Sequence, residues 1–269
     1  MPELELPDAT LAYRTAGEHG PRVLLVQGVG SLGEGWRPQI ETLRRDHQLV
    51  WFDNRGVGES SDSGEPLTME QMGADCIALL DHLGWERAHI AGHSMGGMIV
   101  QEAAALAPER FISLSLLSTA RRGRQVLALP PRALWPALMM RIGGEERRWR
   151  HFTALAFPPD FLREIGKDRA VELLRSAFVE DFVRMPLCVR RQLAAMWRHR
   201  GADLEKARSI PTLIITGSHD LTVNTRFSDE LQTALPMARL ERFTDAAHAL
   251  PLQYPAAVSR LLRQHFADL

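Results

Sequence analysis

Ser94, Asp220 and His248 have the types that acyl-transfer chemistry requires, and each follows a stretch with strand character. A serine hydroxyl is a poor nucleophile near neutral pH, so it needs a base to take its proton and a third group to orient that base. Ser94 lies in Gly92-His93-Ser94-Met95-Gly96, a G-x-S-x-G pattern. The preceding Arg87 to Ala91 reads as a short buried strand, and Met98 to Ala107 is a strong helix former that stops at Pro108. A serine on such a sharp strand-to-helix turn has its hydroxyl pushed out at the top of a sheet, and the crowded turn requires small neighbours. Asp220 closes Gly217-Ser218-His219-Asp220, just past the strand run Leu213 to Thr216. His248 closes Asp245-Ala246-Ala247-His248, just past Leu240 to Phe243. Alone, Asp220 reads as a turn or capping residue and His248 as a loop histidine. Together, at three strand ends and in the order Ser, Asp, His, they read as nucleophile, acid and base. Two other histidines share these strand ends. His93 is expected to point away along the turn, and His219 to shape the loop of Asp220.

A tetrahedral intermediate needs donors for its oxyanion. The new helix offers the backbone N–H of Met95. The glycine-rich loop Gln27 to Gly35, after the apolar run Val23 to Val26, offers that of Val29, with Gly28 and Gly30 letting the backbone come close. Gly28, Gly30 and Gly33 also form G-x-G-x-x-G, the dinucleotide fingerprint, but they lead into Glu34-Gly35-Trp36 rather than directly into a helix. No H-E-x-x-H, paired C-x-x-C or phosphate loop is present, so neither a metal nor a cofactor is expected.

The elements that must position these residues alternate in type. Leu4 to Leu6 and Thr10 to Arg14 suggest a hairpin at one sheet edge. Val23 to Val26 and Leu49 to Phe52 are continuous apolar runs, as in strands buried on both faces. Trp36 to Arg45 reads as a helix, and Thr68 with Gln71 as a capping box opening a helix to about Leu83. Phe111 to Leu117 is the next strand. From Arg121 to Arg208 strand signals cease, and amphipathic helices are expected at Ala133 to Met140, Glu145 to Ala156, Arg169 to Val179 and Leu187 to Arg198. Alternation then resumes, with a helix near Asn224 to Ala234 and a last one from Pro255. This is an α/β class chain: a mostly parallel sheet flanked by helices, with a helical insert before the last two strands.

With these motifs in place, the chain resembles the α/β-hydrolase superfamily, in particular its lid-bearing serine esterases, lactonases and C–C hydrolases. Asp53-Asn54-Arg55-Gly56-Val57-Gly58-Glu59-Ser60 is similar to that group's D-x-R-G-x-G-x-S segment, in which Arg55 and Ser60 would fix a turn rather than touch substrate. The resemblance implies a core of residues 1–120 and 209–269 and a helical lid of residues 121–208. It also implies Ser94 as nucleophile, Asp220 as acid and His248 as base. Gln27 stands where members usually carry histidine, and Ala247 where glycine is frequent; a glutamine side chain can still hydrogen-bond the loop. A serine nucleophile argues against haloalkane dehalogenases and epoxide hydrolases, which need a carboxylate. The expected activity is cleavage of a carboxylic ester or lactone through an acyl-enzyme, at a small substrate with an apolar portion. A C–C hydrolase, an enol-lactonase, a non-hydrolytic lyase or perhydrolase-like member and a binding protein are the alternatives.

Lid residues expected to wall the pocket include Trp135, Met139 and Phe157, with Leu221 from the core; Phe152, Phe178, Phe182 and Met185 belong to the same apolar set, as do Leu138 and Trp197. Arg121-Arg122-Gly123-Arg124 and Arg147-Arg148-Trp149-Arg150 read as solvated faces, with one arginine meeting a substrate carboxylate as the sharper alternative. The 269 residues are 45% hydrophobic, enough for one large core, and the net charge of −1 gives nucleic acid no handle. Met1 to Asp8 lacks the basic and apolar regions of a secretory signal, and no apolar run approaches membrane-spanning length. Cys76 and Cys188 are expected to stay unpaired in a reducing cytoplasm. A monomer or homodimer is expected.

Overall fold

The computed structural model describes residues 1–127 and 129–268, apart from the Leu127 side chain. Its centre is an eight-stranded sheet of β1 (Glu3–Leu6), β2 (Ala9–Ala16), β3 (Arg22–Val26), β4 (Gln48–Phe52), β5 (Ala88–His93), β6 (Phe111–Leu117), β7 (Thr212–Gly217) and β8 (Ala238–Phe243). The spatial order is β1-β2-β4-β3-β5-β6-β7-β8. β2 runs antiparallel to both β1 and β4, and every other pairing is parallel. The chain moves outward from β3 to β4 and then returns past β3 to β5. The loops after β3 and β5 therefore leave opposite sides of one crevice at the carboxyl ends of the strands.

The continuous apolar strands are buried on both faces. Val23 and Leu25 of β3 join Trp36, Leu43, Val258 and Leu262 on one face, while Leu24 and Val26 join Met72, Leu79, Met98 and Ile99 on the other. The first layer holds α1 (Arg37–Leu43); the second holds α2 (Met69–His82) and α3 (Met95–Leu106). Thr68 caps α2 as expected, its hydroxyl accepting from the Gln71 N–H at 3.0 Å. Only half of the capping box forms, because the Gln71 side chain turns instead to Asp8, 2.7 Å away.

Between β6 and β7 come α4 (Gly123–Leu127), α5 (Pro131–Met139), α6 (Glu145–Ala156), α7 (Pro159–Ile165), α8 (Lys167–Arg175) and α9 (Leu187–Arg198). α6 and α9 have the bounds the sequence suggests. The expected helix from Arg169 to Val179 is instead α8, ending at Arg175, and α7 precedes it across Gly166, whose φ is 79°. Pro131 and Pro159 are the first residues of α5 and α7, where the missing N–H would have had no intrahelical partner. The core resumes with α10 (Arg226–Ala234), α11 (Leu250–Gln253) and α12 (Pro255–Ala267), and α12 packs beside α1. Among the described residues no helix is long and apolar enough to cross a membrane. Cys76 and Cys188 are both free.

His89 on β5 is buried, with Nδ1 2.8 Å from Ser113 Oγ and its ring 4.8 Å from that of Phe266. Burial, and secondarily the neighbouring His265 and His47, push its pKa down from 6.5 to about 4. Above pH 6.5 the ring is neutral whether the chain is folded or not. Between 6.5 and about 4 only the unfolded chain takes up the proton, so stability drops as the pH is lowered, by up to about 1.4 kcal/mol per unit from this group. His89→Gln keeps a partner for Ser113 and is expected to flatten that decline by about one proton's worth of slope. Urea melts from pH 7 to pH 4 would measure it, and an unchanged slope would dismiss the assignment.

Candidate active site

Ser94 occupies the turn between β5 and α3 with φ 57° and ψ −121°, a conformation rare for a residue with a side chain. The turn is held by the Ser94 N–H donating to the Leu117 carbonyl at 2.9 Å and by Thr119 Oγ1 donating to the Ser94 carbonyl at 2.7 Å. Its glycines are sterically required. A Cβ on Gly92 would run into the Gly96 carbonyl, and one on Gly96 into the Val26 carbonyl.

The turn presents Ser94 Oγ to His248 Nε2 at 3.0 Å, and His248 Nδ1 lies 2.8 Å from Asp220 Oδ2. The second carboxylate oxygen of the buried Asp220 accepts the N–H groups of Thr222 and Val223, each at 2.7 Å, so its side chain is fixed at both ends. A carboxylate that binds Nδ1–H leaves Nε2 as the acceptor for a serine proton. The three residues singled out from three strand ends thus form one hydrogen-bonded chain.

His93 does not point away from this group. Its Nε2 lies 2.9 Å from the His248 carbonyl, to which it donates, and the two rings stand 5.1 Å apart. Burial, and then the adjacent His248, hold the His93 pKa down at about 3, so the ring stays neutral and serves as a strut. Its type and place beside the serine gave no sign of this, because the contact closes over 155 residues. His219 behaves as read: its N–H donates to the Ala246 carbonyl at 2.8 Å, joining the Asp220 and His248 loops.

The loop after β3 crosses above Ser94. Its Gly28 N–H donates to Gln27 Oε1 at 3.2 Å, and its Gly30 N–H to Gln192 Oε1 of α9 at 2.8 Å. The Val29 N–H lies between these two tied groups, and Met95 opens α3, so its own N–H has no intrahelical acceptor. A Cβ on Gly28 would reach 3.0 Å from Ser94 Cβ, which places the loop against the serine. The insert also binds this loop through its backbone. Leu32 N–H donates to the Ala177 carbonyl at 2.9 Å, and Val179 N–H to the Gly30 carbonyl at 3.0 Å.

Ser94 and His248 open into a cavity of about 350 Å³ with mostly apolar walls. The insert supplies Phe152, Phe178 and Phe182, whose ring centroids lie 4.4–5.1 Å apart, and Met185. From α9 come Val189, Leu193 and Met196. The four side chains suggested as specific pocket walls are elsewhere. Trp135 is 67% exposed on α5, and Leu138 and Trp197 are likewise turned to solvent. Met139 is buried outside the cavity lining, and Phe157 packs on Phe161 with centroids 5.1 Å apart. Leu221 is only half-buried, and Thr222, next in the Asx turn made by Asp220, takes the wall. A helix commits one face to a cavity, so apolar type alone misleads. The i, i+4, i+7 stripe at 189, 193 and 196 was the signal available.

The profile of the alpha/beta hydrolase fold matches residues 21–255. The chain belongs to the α/β-hydrolase family. A protein of Azorhizobium caulinodans, provisionally named carbamate hydrolase RutD, is 31% identical over 267 residues, covering 97% of each chain. The enol-lactonase from Burkholderia xenovorans LB400 superposes with a TM-score of 0.81 at 24% identity, over 99% of this chain and 100% of its own. A hydrolase from Pseudomonas aeruginosa PA01 gives 0.77 at 27% identity, over 98% and 97%. The family and these names support hydrolase activity. In this α/β-hydrolase the Asp53 to Ser60 segment is a tied turn. Asp53 accepts the Gly33 N–H at 2.7 Å, Ser60 Oγ donates to the Asp53 carbonyl at 2.6 Å, and Asn54 Nδ2 donates to the Gln27 carbonyl at 2.9 Å. The segment therefore props the loop above Ser94 from behind.

Proposed function

We propose that this protein is a serine hydrolase that cleaves a carboxylic ester or lactone through an acyl-enzyme. The observation that carries the reading is the Asp220–His248–Ser94 hydrogen-bonded chain at the foot of an apolar cavity. His248 Nε2 takes the Ser94 proton as Oγ adds to the substrate carbonyl. The oxyanion accepts from the N–H groups of Val29 and Met95. Collapse breaks the bond to the alkoxy oxygen, which leaves with the proton from His248. Water, deprotonated by the same imidazole, then adds to the acyl group and releases the acid and Ser94. Asp220 and the carbonyl strut from His93 keep the ring oriented while it is charged.

Residues 121–208 would act as a lid on a core of residues 1–120 and 209–269, supplying the apolar wall that receives the acyl or alkyl group and excludes water. The two unpaired cysteines fit a reducing cytoplasm. The test is a panel of short- and medium-chain p-nitrophenyl esters, lactones and aryl carbamates, the last suggested by the name of the 31% identical relative. Intact mass would be recorded after brief mixing. Turnover with an acyl adduct on Ser94 is expected; neither, from folded protein across the panel, would sink the proposal.

Arg141, an exposed residue, is the one lining residue with a permanent charge among those described. It would pair with a substrate carboxylate beyond the scissile bond. Arg141→Ala is expected to raise KM for a carboxylate-bearing ester by about tenfold and to leave the matched neutral ester unchanged. Equal effects on both would remove Arg141 from recognition.

A further inference from the structure

Away from the Ser94 cavity, three side chains from three helices converge. Glu70 stands in the first turn of α2, Glu102 in the second half of α3, and His199 directly follows the last residue of α9. One ligand atom from each lies within 4.8 Å of the other two. Glu102 and His199 are buried, and Glu70 is exposed.

The group is poorly satisfied by the protein itself. The His199 side chain is 1% exposed, yet neither ring nitrogen has a hydrogen-bond partner among the described residues. Nδ1 is 3.5 Å from Glu102 Oε1 and makes no hydrogen bond to it. The Arg121 backbone also lies beside the ring, without meeting hydrogen-bond geometry. Glu70 and Glu102 bring two carboxyl groups from two helices to the same buried imidazole. A buried imidazole with free lone pair, beside two carboxylates, has the composition of a metal-ligand set.

We propose that Glu70, Glu102 and His199 bind one divalent zinc-type cation, which clips the end of the helical insert to the core. Nitrogen and oxygen donors bind zinc at about 2.0–2.2 Å, roughly 3.3–3.6 Å from one another in a tetrahedron, so the three ligand atoms need to close by at most about 1.5 Å. The exposed Glu70 side chain can supply that movement and gives the ion an entry path. Imidazole in the set favours zinc over magnesium or calcium, and the solvent side leaves room for water as fourth ligand. The consequence reaches the cavity through α9. This helix carries Val189, Leu193 and Met196 of the wall and Gln192, which holds the Gly30 N–H. The bound ion fixes the C-terminal end of that helix against α2 and α3. It takes no part in the chemistry proposed at Ser94, and the site stands or falls independently of it.

The test uses the full chain, stripped with a chelator and titrated with zinc chloride by calorimetry, with thermal unfolding followed in parallel. Wild type is expected to bind one zinc per chain and to gain about 5 °C in Tm when free zinc is a hundredfold above Kd. Glu70→Gln, at an exposed position, is expected to fold normally and lose at least tenfold in affinity; His199→Asn should lose binding altogether. Absence of stoichiometric binding by wild type would overturn the proposal. So would zinc binding by folded Glu70→Gln as tightly as by wild type, because the ion would then sit elsewhere. Glu70→Gln keeps the test decisive if the buried His199→Asn fails to fold.

Discussion

Ser94→Ala is expected to lower kcat by roughly a millionfold, with loss of the acyl adduct and no change in fold. The hydroxyl makes its bond to His248 Nε2 at 3.0 Å, so truncation strands no other buried group. Alanine must adopt the same φ of 57°, and the packing that imposes this on serine remains. His248→Ala should cost about as much, because a serine without its base is little better than none. Asp220→Asn should cost about ten-thousandfold, since an amide can present its N–H to Nδ1 and select the wrong tautomer. The Ser94→Ala, His248→Ala double variant should be no slower than either single, as groups that act in one step are not additive. The series is read with single-turnover kinetics on a p-nitrophenyl ester and circular dichroism of each variant. Full activity in Asp220→Asn would remove Asp220 from its role. Independent, multiplying losses in the double variant would mean that serine and histidine serve different steps.

What the sequence revealed and what it hid follow from the range of the interactions. The sheet, its flanking helices and the strand-end positions of Ser94, Asp220 and His248 were legible because each depends on local pattern: apolar runs, a glycine-bounded turn, a proline stop. The bounds of α6 and α9 were legible for the same reason. The Gln27 departure was also readable, since its amide binds the adjacent Gly28 N–H. Contacts that close across the chain were not. His93 finds its acceptor at His248, Gln192 reaches Gly30 from the insert, and Glu70, Glu102 and His199 meet only once three helices pack. No spacing in the chain encodes these. Trp135 failed differently. It was chosen for its apolar bulk, but on a surface helix bulk does not say which face is turned inward, and large exposed apolar side chains are ordinary.

Asp75→Ala is expected to destabilise the protein by about 3 kcal/mol, the lower end of the cost of breaking a buried ion pair. Arg55 was anticipated as the residue that fixes the Asp53 to Ser60 turn, but its partner was not. Asp75 of α2 receives Nε and Nη2 at 2.7 and 2.8 Å, a two-pronged contact with both side chains under 5% exposed. Burial raises the Asp75 pKa and the guanidinium opposes that rise, so the arginine is what makes a carboxylate tolerable there. Removing the carboxylate leaves the guanidinium buried and uncompensated except by the half-exposed Asp8, 2.9 Å from Nη1 without hydrogen-bond alignment. That remaining neighbour is the reason for choosing the lower end. Arg55→Met with Asp75→Leu should regain most of the lost stability, because filling the space with apolar groups removes the desolvation cost along with the attraction. The activity should separate from the stability. The Arg55 carbonyl lies 3.4 Å from Gln192 Nε2, and the adjacent Asn54 holds the Gln27 carbonyl, so the turn supports the loop that presents Val29. Asp75→Ala is therefore expected to lower kcat by about tenfold at a temperature where it is fully folded, through a displaced oxyanion donor. Urea melts of the two singles and the double, with kcat measured on each, would check both halves. A stable Asp75→Ala would show that the pair contributes little to the fold. A destabilised Asp75→Ala with wild-type kcat would show that the turn and the loop above Ser94 are uncoupled.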